Sequence, residues 1–388
     1  MAMTRREYLK QVAGVTAAVA LPELLVGRNA ALRGGGAEDI AGKGSLKARA
    51  AARGMLAGCA VNAELFRRDP DFRNLLVEQY SILVPENCLK WNILRPTPDT
   101  YSFTDSDSLV AFAEAHGMKV RGHNFVWHEA LPKWFASTVT KENARKLLID
   151  HITTVGGRYK GRIHSWDVVN EAIQVSDGLP GGFRNSSWQK MLGGSGAVPE
   201  YIEVAYRTAR RVDPKALLVY NDYGIEGEDE GSAKKREAVM GLLREMQRRN
   251  VPVDALGVQS HITAVNKDGS VPVYGDGLMK MIAEARMMGL KVLVTEMDVN
   301  DRYLAAPIGA RDAAVAKMYG SYLRTVLKDS AVIAVLTWGI TDKYTWLNHE
   351  DARTDGLPER PLSFDAEMQP TAAFAAEVKA LQEAPLRG

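Results

Sequence analysis

Glu171 closes the run Trp166-Asp167-Val168-Val169-Asn170-Glu171, and Glu296 closes Val292-Leu293-Val294-Thr295-Glu296. Each carboxylate follows a short, nearly continuous apolar segment, the pattern of a strand buried on both faces. An acid in such a place is desolvated unless it has a partner or a chemical task. Two carboxylates facing each other across one cleft are the equipment of retaining glycoside hydrolysis. One attacks the anomeric carbon; the other protonates the leaving oxygen and later takes a proton from water. Either Glu alone is as readily explained by an ion pair with a nearby Arg or Lys, so the pair and its surroundings must carry the reading.

The surroundings are consistent with it. Glu86 and Asn87, then Lys90 and Trp91, follow one apolar run; His123, Trp127 and His128 end another. Asn221, Asp222 and Tyr223 end a third, Gln259 and His261 a fourth, Asp298 lies two past Glu296, and Trp338 ends the last. Amides, imidazoles and carboxylates bond sugar hydroxyls, and tryptophan faces pack on the C–H face of a pyranose. A metal is the other use for His and Glu. There is no H-E-x-x-H helix motif and no His-x-His in the first run, and His123 and His128 straddle a strand end; no metal or other cofactor is expected.

Elements that place these groups follow from periodicity. Apolar runs recur at 56–61, 80–85, 119–125, 165–169, 216–220, 255–259, 291–295 and 332–337. Helical patterns lie between and after them: 72–78, 108–115 with Gly117 behind it, 142–155 with Thr140 as cap, 200–212, 232–248, 277–288, 311–327 and 371–381. Strand–helix alternation of this count specifies an α/β fold, a (β/α)8 TIM barrel in one catalytic domain over residues 45–388. A doubly wound sheet is the competitor, but no G-x-G-x-x-G follows an early strand and no P-loop occurs. All the candidate side chains sit at C-terminal strand ends, the face on which barrels build their sites. Long segments on that face, 173–198 above all, would wall a groove suited to a polymer. A barrel with an open groove functions alone, so a monomer is expected.

Composition agrees. Of 388 residues 46% are hydrophobic and 25% charged, ordinary globular values. The net charge of +2 resides in the first 30 residues; a near-neutral remainder offers no electrostatic basis for nucleic-acid binding. Residues 1–30, with Arg5-Arg6 ahead of an apolar stretch too short to span a bilayer, read as a twin-arginine-type signal peptide. That implies use of the twin-arginine export machinery by the precursor, a periplasmic or secreted destination, and no membrane segment in the mature form. Residues 31–44, containing Gly34-Gly35-Gly36, read as a flexible linker. Cys59 and Cys88 fall on or just past neighbouring strands with an axial offset of roughly 16 Å, beyond the ~7 Å Cα separation of a disulfide, so both should be free thiols.

In combination the motifs resemble those of glycoside hydrolase family 10, the barrel endo-β-1,4-xylanases, from about residue 45 to 381. They are Glu86-Asn87-Cys88-Leu89-Lys90-Trp91, Arg121-Gly122-His123 with Trp127-His128, Trp166 through Ala172, Tyr220-Asn221-Asp222-Tyr223, Gln259-Ser260-His261, Thr295-Glu296-Met297-Asp298 and Thr337-Trp338-Gly339 with Trp346. The resemblance implies an endo-acting, retaining enzyme that cuts internal β-1,4-xylosidic bonds of xylan and xylo-oligosaccharides through a covalent glycosyl-enzyme. Glu171 would be acid/base and Glu296 nucleophile. Glu86, Asn87, Lys90, His123 and Trp127 would line the glycone subsites, and Asn170 would hold the 2-hydroxyl. His261 would hydrogen-bond the nucleophile, with Asp298 behind it and Gln259 beside it. Tyr223 would serve the leaving-group side, and Trp338 and Trp346 would cover the cleft. Met297, Gly224 and Leu347 depart from the residues common at those places. Two further readings are the same chemistry on a β-1,4-glucan or aryl β-glycoside, and a barrel that binds glycans without cutting them; the last would lack one carboxylate, and both are present.

Overall fold

The computed structural model describes residues 40–387. The expected signal at 1–30 and most of the expected linker at 31–44 lie outside the described residues. Residues 40–44 do not behave as linker. Gly42–Gly44 form a turn, the Gly42 N–H donates to Glu78, and the buried Gln79 amide bonds the Ile40 carbonyl and the Leu46 N–H. The packed domain therefore begins by Ile40 rather than at Ser45.

Among the described residues nine strands form: β1 (Leu56–Val61), β2 (Ile82–Pro85), β3 (Lys119–Val126), β4 (Ser165–Asn170), β5 (Leu217–Asp222), β6 (Ala255–Val258), β7 (His261–Thr263), β8 (Lys291–Asn300) and β9 (Val332–Thr337). All neighbours are parallel. Pairing runs β1-β2-β3-β4-β5-β6-β8-β9 and returns from β9 to β1, an eight-stranded closed barrel. β7 carries β6 onward past a break at Gln259 and Ser260, where Ser260 has φ +64, and lies against the outer end of β8 with His261 opposite Asp298. The expected (β/α)8 barrel is what the chain forms.

The principal helices are α1 (Leu46–Ala51), α2 (Pro70–Gln79), α3 (Thr104–Ala115), α4 (Ala144–Arg158), α5 (Glu200–Val212), α6 (Glu230–Arg248), α7 (Asp276–Met287), α8 (Ile308–Val326) and α9 (Ala372–Glu383). Side-chain caps start several of them: Ser45 accepts from Ala48 N, Asp69 from Asp71 N and Phe72 N, and Asp229 from Ser232 N. Thr140 does not cap α4. The Asn143 amide instead ties together Thr138 and Thr140 in the turn before it.

Two apolar layers result. Ala60, Ile82, Val84, Val219, Ala255, Leu293, Ala334 and Leu336 fill the barrel, while a larger cluster packs the strands' outer faces against the helices. The interior is narrow: a Cβ on Gly58 would meet Ile82 at 2.5 Å. Cys59 and Cys88 are both buried and free, and burial pushes the Cys88 thiol up to about 12. Among the described residues no helix is long and apolar enough to cross a membrane.

Glu377 on α9 is a buried acid outside the functional face, held by one hydrogen bond from the Ser363 hydroxyl at 2.6 Å. Burial raises its carboxyl from 4.5 to about 7, against the opposing effect of Ser363. Because the folded value lies above the unfolded one, its contribution is fully present below about 4.5 and is lost as pH rises through about 7. At about 1.4 kcal/mol per unit, Glu377→Gln should stabilise the fold by roughly 2–4 kcal/mol at pH 8.5 and leave it unchanged at pH 4. Thermal unfolding at the two pH values measures this; an equal shift at both would contradict it.

Candidate active site

Glu296 lies inside β8 rather than at its end. The apolar run stops at Thr295, but β7 extends the ladder so that the strand continues to Asn300. Glu296 is 4% exposed. Its Oε1 accepts from Asn221 Nδ2 at 2.7 Å and stands 3.5 Å from the Arg121 guanidinium and 4.0 Å from His123 Nδ1. Its Oε2 faces His261 Nε2 at 3.3 Å. Burial pushes the Glu296 carboxyl up, but the His261 hydrogen bond and the charges of His123 and Arg121 outweigh it and hold the group well below the usual carboxylate range.

His261 is placed by the break between β6 and β7. Its Nδ1 meets Asp298 Oδ1 at 3.0 Å, and Asp298 Oδ2 accepts from Trp346 Nε1 at 2.7 Å. Burial alone would lower the imidazole; the two flanking carboxylates raise it to about 10, so the ring is cationic at neutral pH. Beside Glu296, fully buried Arg121 pairs with fully buried Asp167 and donates to the Thr295 carbonyl. His123 Nδ1 also bonds Asp167, at 2.7 Å. His123, Asp167 and Glu296 bring one ligand atom each within 4.8 Å of one another. Arg121 already supplies positive charge to both carboxylates, which suits an ion-pair network rather than a metal set.

Glu171 stands one residue past β4 in a left-handed backbone conformation, φ +58, its N–H bonded to the Asn221 carbonyl. The donors around its carboxyl are neutral. Oε2 accepts from Trp127 Nε1 at 2.8 Å; Oε1 accepts from Gln259 Nε2 at 3.0 Å and Asn170 Nδ2 at 3.1 Å. His128 Nδ1 lies 3.7 Å away. Gln259, expected beside Glu296 and His261, thus bonds Glu171 instead. It lies at the strand break immediately ahead of Ser260, so it and His261 are re-aimed toward different carboxylates.

A chain of amides joins the two acids. Asn221 Nδ2 bonds both Glu296 Oε1 and Asn170 Oδ1, the latter at 2.8 Å, and Asn170 bonds Glu171. Thr295 Oγ1 donates to Asn221 Oδ1, and a Cβ on Gly257 would strike that oxygen at 2.3 Å, so glycine is required where β5 and β6 pass.

The remaining candidates flank this centre. Glu86 accepts from Asn87, Asn87 accepts from Lys90 Nζ at 3.0 Å, and the Lys90 ammonium sits 5.1 Å from the Trp127 ring and 5.7 Å from that of Trp338. Trp338 packs edge-on against His123 and His261, and Trp346 against His261. On the far side, Tyr223 rests over Lys235, whose Nζ lies 3.7 Å from the ring centroid and 2.8 Å from Asp222. Its hydroxyl accepts from Arg184 at 3.1 Å.

Arg121, Asp167, Arg184 and Lys235 lay outside the expected set. Arg121 and Asp167 had a signal: opposite charges inside two apolar strand runs call for each other. Arg184 had none, being one arginine in the long 173–198 segment.

The chain is similar to known proteins in sequence and in fold. Residues 45–380 match the family model described as Glycosyl hydrolase family 10. Over 316 residues the chain is 35% identical to a beta-1,4-xylanase of Dictyoglomus thermophilum, covering 79% of this chain and 84% of the relative. It is 31% identical over 331 residues to exoglucanase XynX of Acetivibrio thermocellus, covering 82% of this chain but 28% of that longer protein. Among solved structures, xylanase 10B of Thermotoga petrophila in complex with xylobiose is similar with a TM-score of 0.76 at 33% identity, covering 87% of this chain and 97% of that one. A match that spans the barrel from α1 into α9 leaves one conclusion: the chain belongs to glycosyl hydrolase family 10.

Proposed function

We propose that this enzyme is an endo-acting, retaining β-1,4-xylanase. The observation that carries the reading is the contrast between the two acids. Glu296 is surrounded by cations, Arg121 and His261, and is kept ionised. Glu171 is surrounded by the neutral donors Trp127, Asn170 and Gln259. One environment suits a nucleophile and the other a proton donor. Glu296 attacks C1 of the sugar while Glu171 gives its proton to the departing glycosidic oxygen. Glu171 then removes a proton from water, which displaces Glu296 and restores the β configuration. Asn170, bonded to both Glu171 and Asn221, is placed to hold the 2-hydroxyl during both steps. Lys90, Trp127 and Trp338 supply the glycone wall, and Tyr223 the leaving-group platform.

The proposal includes export of the precursor by the twin-arginine machinery and action as a monomer in the periplasm or outside the cell. The same chemistry on a β-1,4-glucan is the second reading, favoured by the relative named an exoglucanase. Reducing ends released from xylan and from carboxymethylcellulose, with chromatography of early products from xylo-oligosaccharides, separate the two. Internal cleavage of xylan with little release from cellulose is expected; the reverse preference would overturn the substrate assignment.

A further inference from the structure

Glu171 holds a left-handed backbone conformation, which a non-glycine residue keeps only where its surroundings impose it. The surroundings here are specific. After Ala172 the chain doubles back, Ile173 pairing antiparallel with Phe183, and brings Arg184 alongside the acid/base residue. The Arg184 N–H donates to the Ala172 carbonyl at 2.7 Å. Its guanidinium Nε donates to the Glu171 carbonyl at 2.8 Å, and Nη2 to the Tyr223 hydroxyl at 3.1 Å. Tyr223 is in turn held from beneath by Lys235.

We propose that Arg184 is a positioning residue for proton transfer. By binding the Glu171 carbonyl and the Tyr223 hydroxyl together, it holds the acid/base carboxyl in register with the leaving-group side of the cleft. The inference rests on the reading of Glu171 as acid/base. Arg184 touches neither reacting atom; it acts through the backbone of the residue that does. A planar fork with two directed donors makes both bonds at a fixed spacing, which a lysine ammonium on a flexible stem does not reproduce. Without the clamp the Glu171–Ala172 peptide is free to leave its left-handed well, and the carboxyl leaves its line to the glycosidic oxygen. Misplacement of a catalytic group by about 1 Å can cost on the order of 10²-fold in rate.

The test is kcat/KM across aryl β-xylobiosides graded from dinitrophenyl to phenyl, together with xylotetraose, for wild type, Arg184→Met, Arg184→Lys and Glu171→Ala. Dinitrophenolate departs unaided; phenolate and a sugar alkoxide need the proton. Arg184→Met should lose about 10–100-fold on xylotetraose and the phenyl glycoside, and less than about 3-fold on the dinitrophenyl glycoside, the range available to proton-transfer catalysis. Arg184→Lys should fall between wild type and Met. A merely structural role would lower all substrates in the same ratio, and that result would overturn the proposal. Should Arg184→Met not fold, Arg184→Lys is judged by the same leaving-group criterion. If Glu171→Ala itself shows no leaving-group dependence, the acid/base assignment fails and this inference with it; dependence in Glu171→Ala without dependence in the Arg184 variants overturns the inference alone.

Discussion

Glu296→Ala is expected to abolish turnover on every glycoside, natural or activated, by on the order of 10⁵–10⁶-fold, the scale on which losing a nucleophile acts in covalent catalysis. No good leaving group compensates, because the missing bond is the one to C1. The variant should fold. Arg121 keeps its pair with Asp167, and His261 keeps Asp298, so neither cation is stranded. The space vacated beside Asn221 and His261 is lined by donors and cations and should admit a small anion. With azide and a dinitrophenyl glycoside, the expected product is the α-glycosyl azide, of inverted configuration. Chiral or proton-coupling analysis of the product reads this directly. Substantial residual hydrolysis by water with inversion would instead make Glu296 a general base and end the double-displacement reading.

Glu171→Ala should behave differently. Loss of the acid lowers kcat/KM on xylan by roughly 10²–10⁴-fold, the usual worth of general acid catalysis, while a dinitrophenyl glycoside retains nearly all of its kcat/KM. The second step then lacks its base. The glycosyl-enzyme should accumulate, visible as a burst of dinitrophenolate followed by slow turnover. Azide should speed that second step and give the β-glycosyl azide. The two variants thus differ in product stereochemistry as well as in rate, and an equal loss of kcat/KM on xylan and on the activated substrate would argue against Glu171 as the acid.

The electrostatic division behind these expectations was only half legible in the sequence. Two glutamates at the ends of apolar runs, with histidines, amides and tryptophans at neighbouring strand ends, follow from strand periodicity and from the topological rule that a parallel barrel gathers its C-terminal strand ends at one mouth. These features are local, or reach across the fold only through the count of alternating elements. The helices were legible for the same reason, since apolar spacing along one face depends on a few adjacent residues. Thr140 shows the limit: it has the right type for a cap, but the chain before α4 turns on Asn143 instead.

What the sequence by itself determined is therefore the barrel, the face on which the candidate site lies and the two acids proposed to work there. Tertiary structure decided which charge each acid meets. The break at Gln259 and Ser260 turns Gln259 toward Glu171 and His261 toward Glu296, although the two residues lie two apart in the chain. The return of the 173–184 segment brings Arg184 to the Glu171 carbonyl, and nothing in its neighbours' identities specifies that contact. Hydrogen-bond pairing in the site joins residues as much as 174 positions apart, as between Arg121 and the Thr295 carbonyl. The acidity of a buried carboxyl depends on distances to such partners within a few ångströms, and those distances exist only once the barrel has closed.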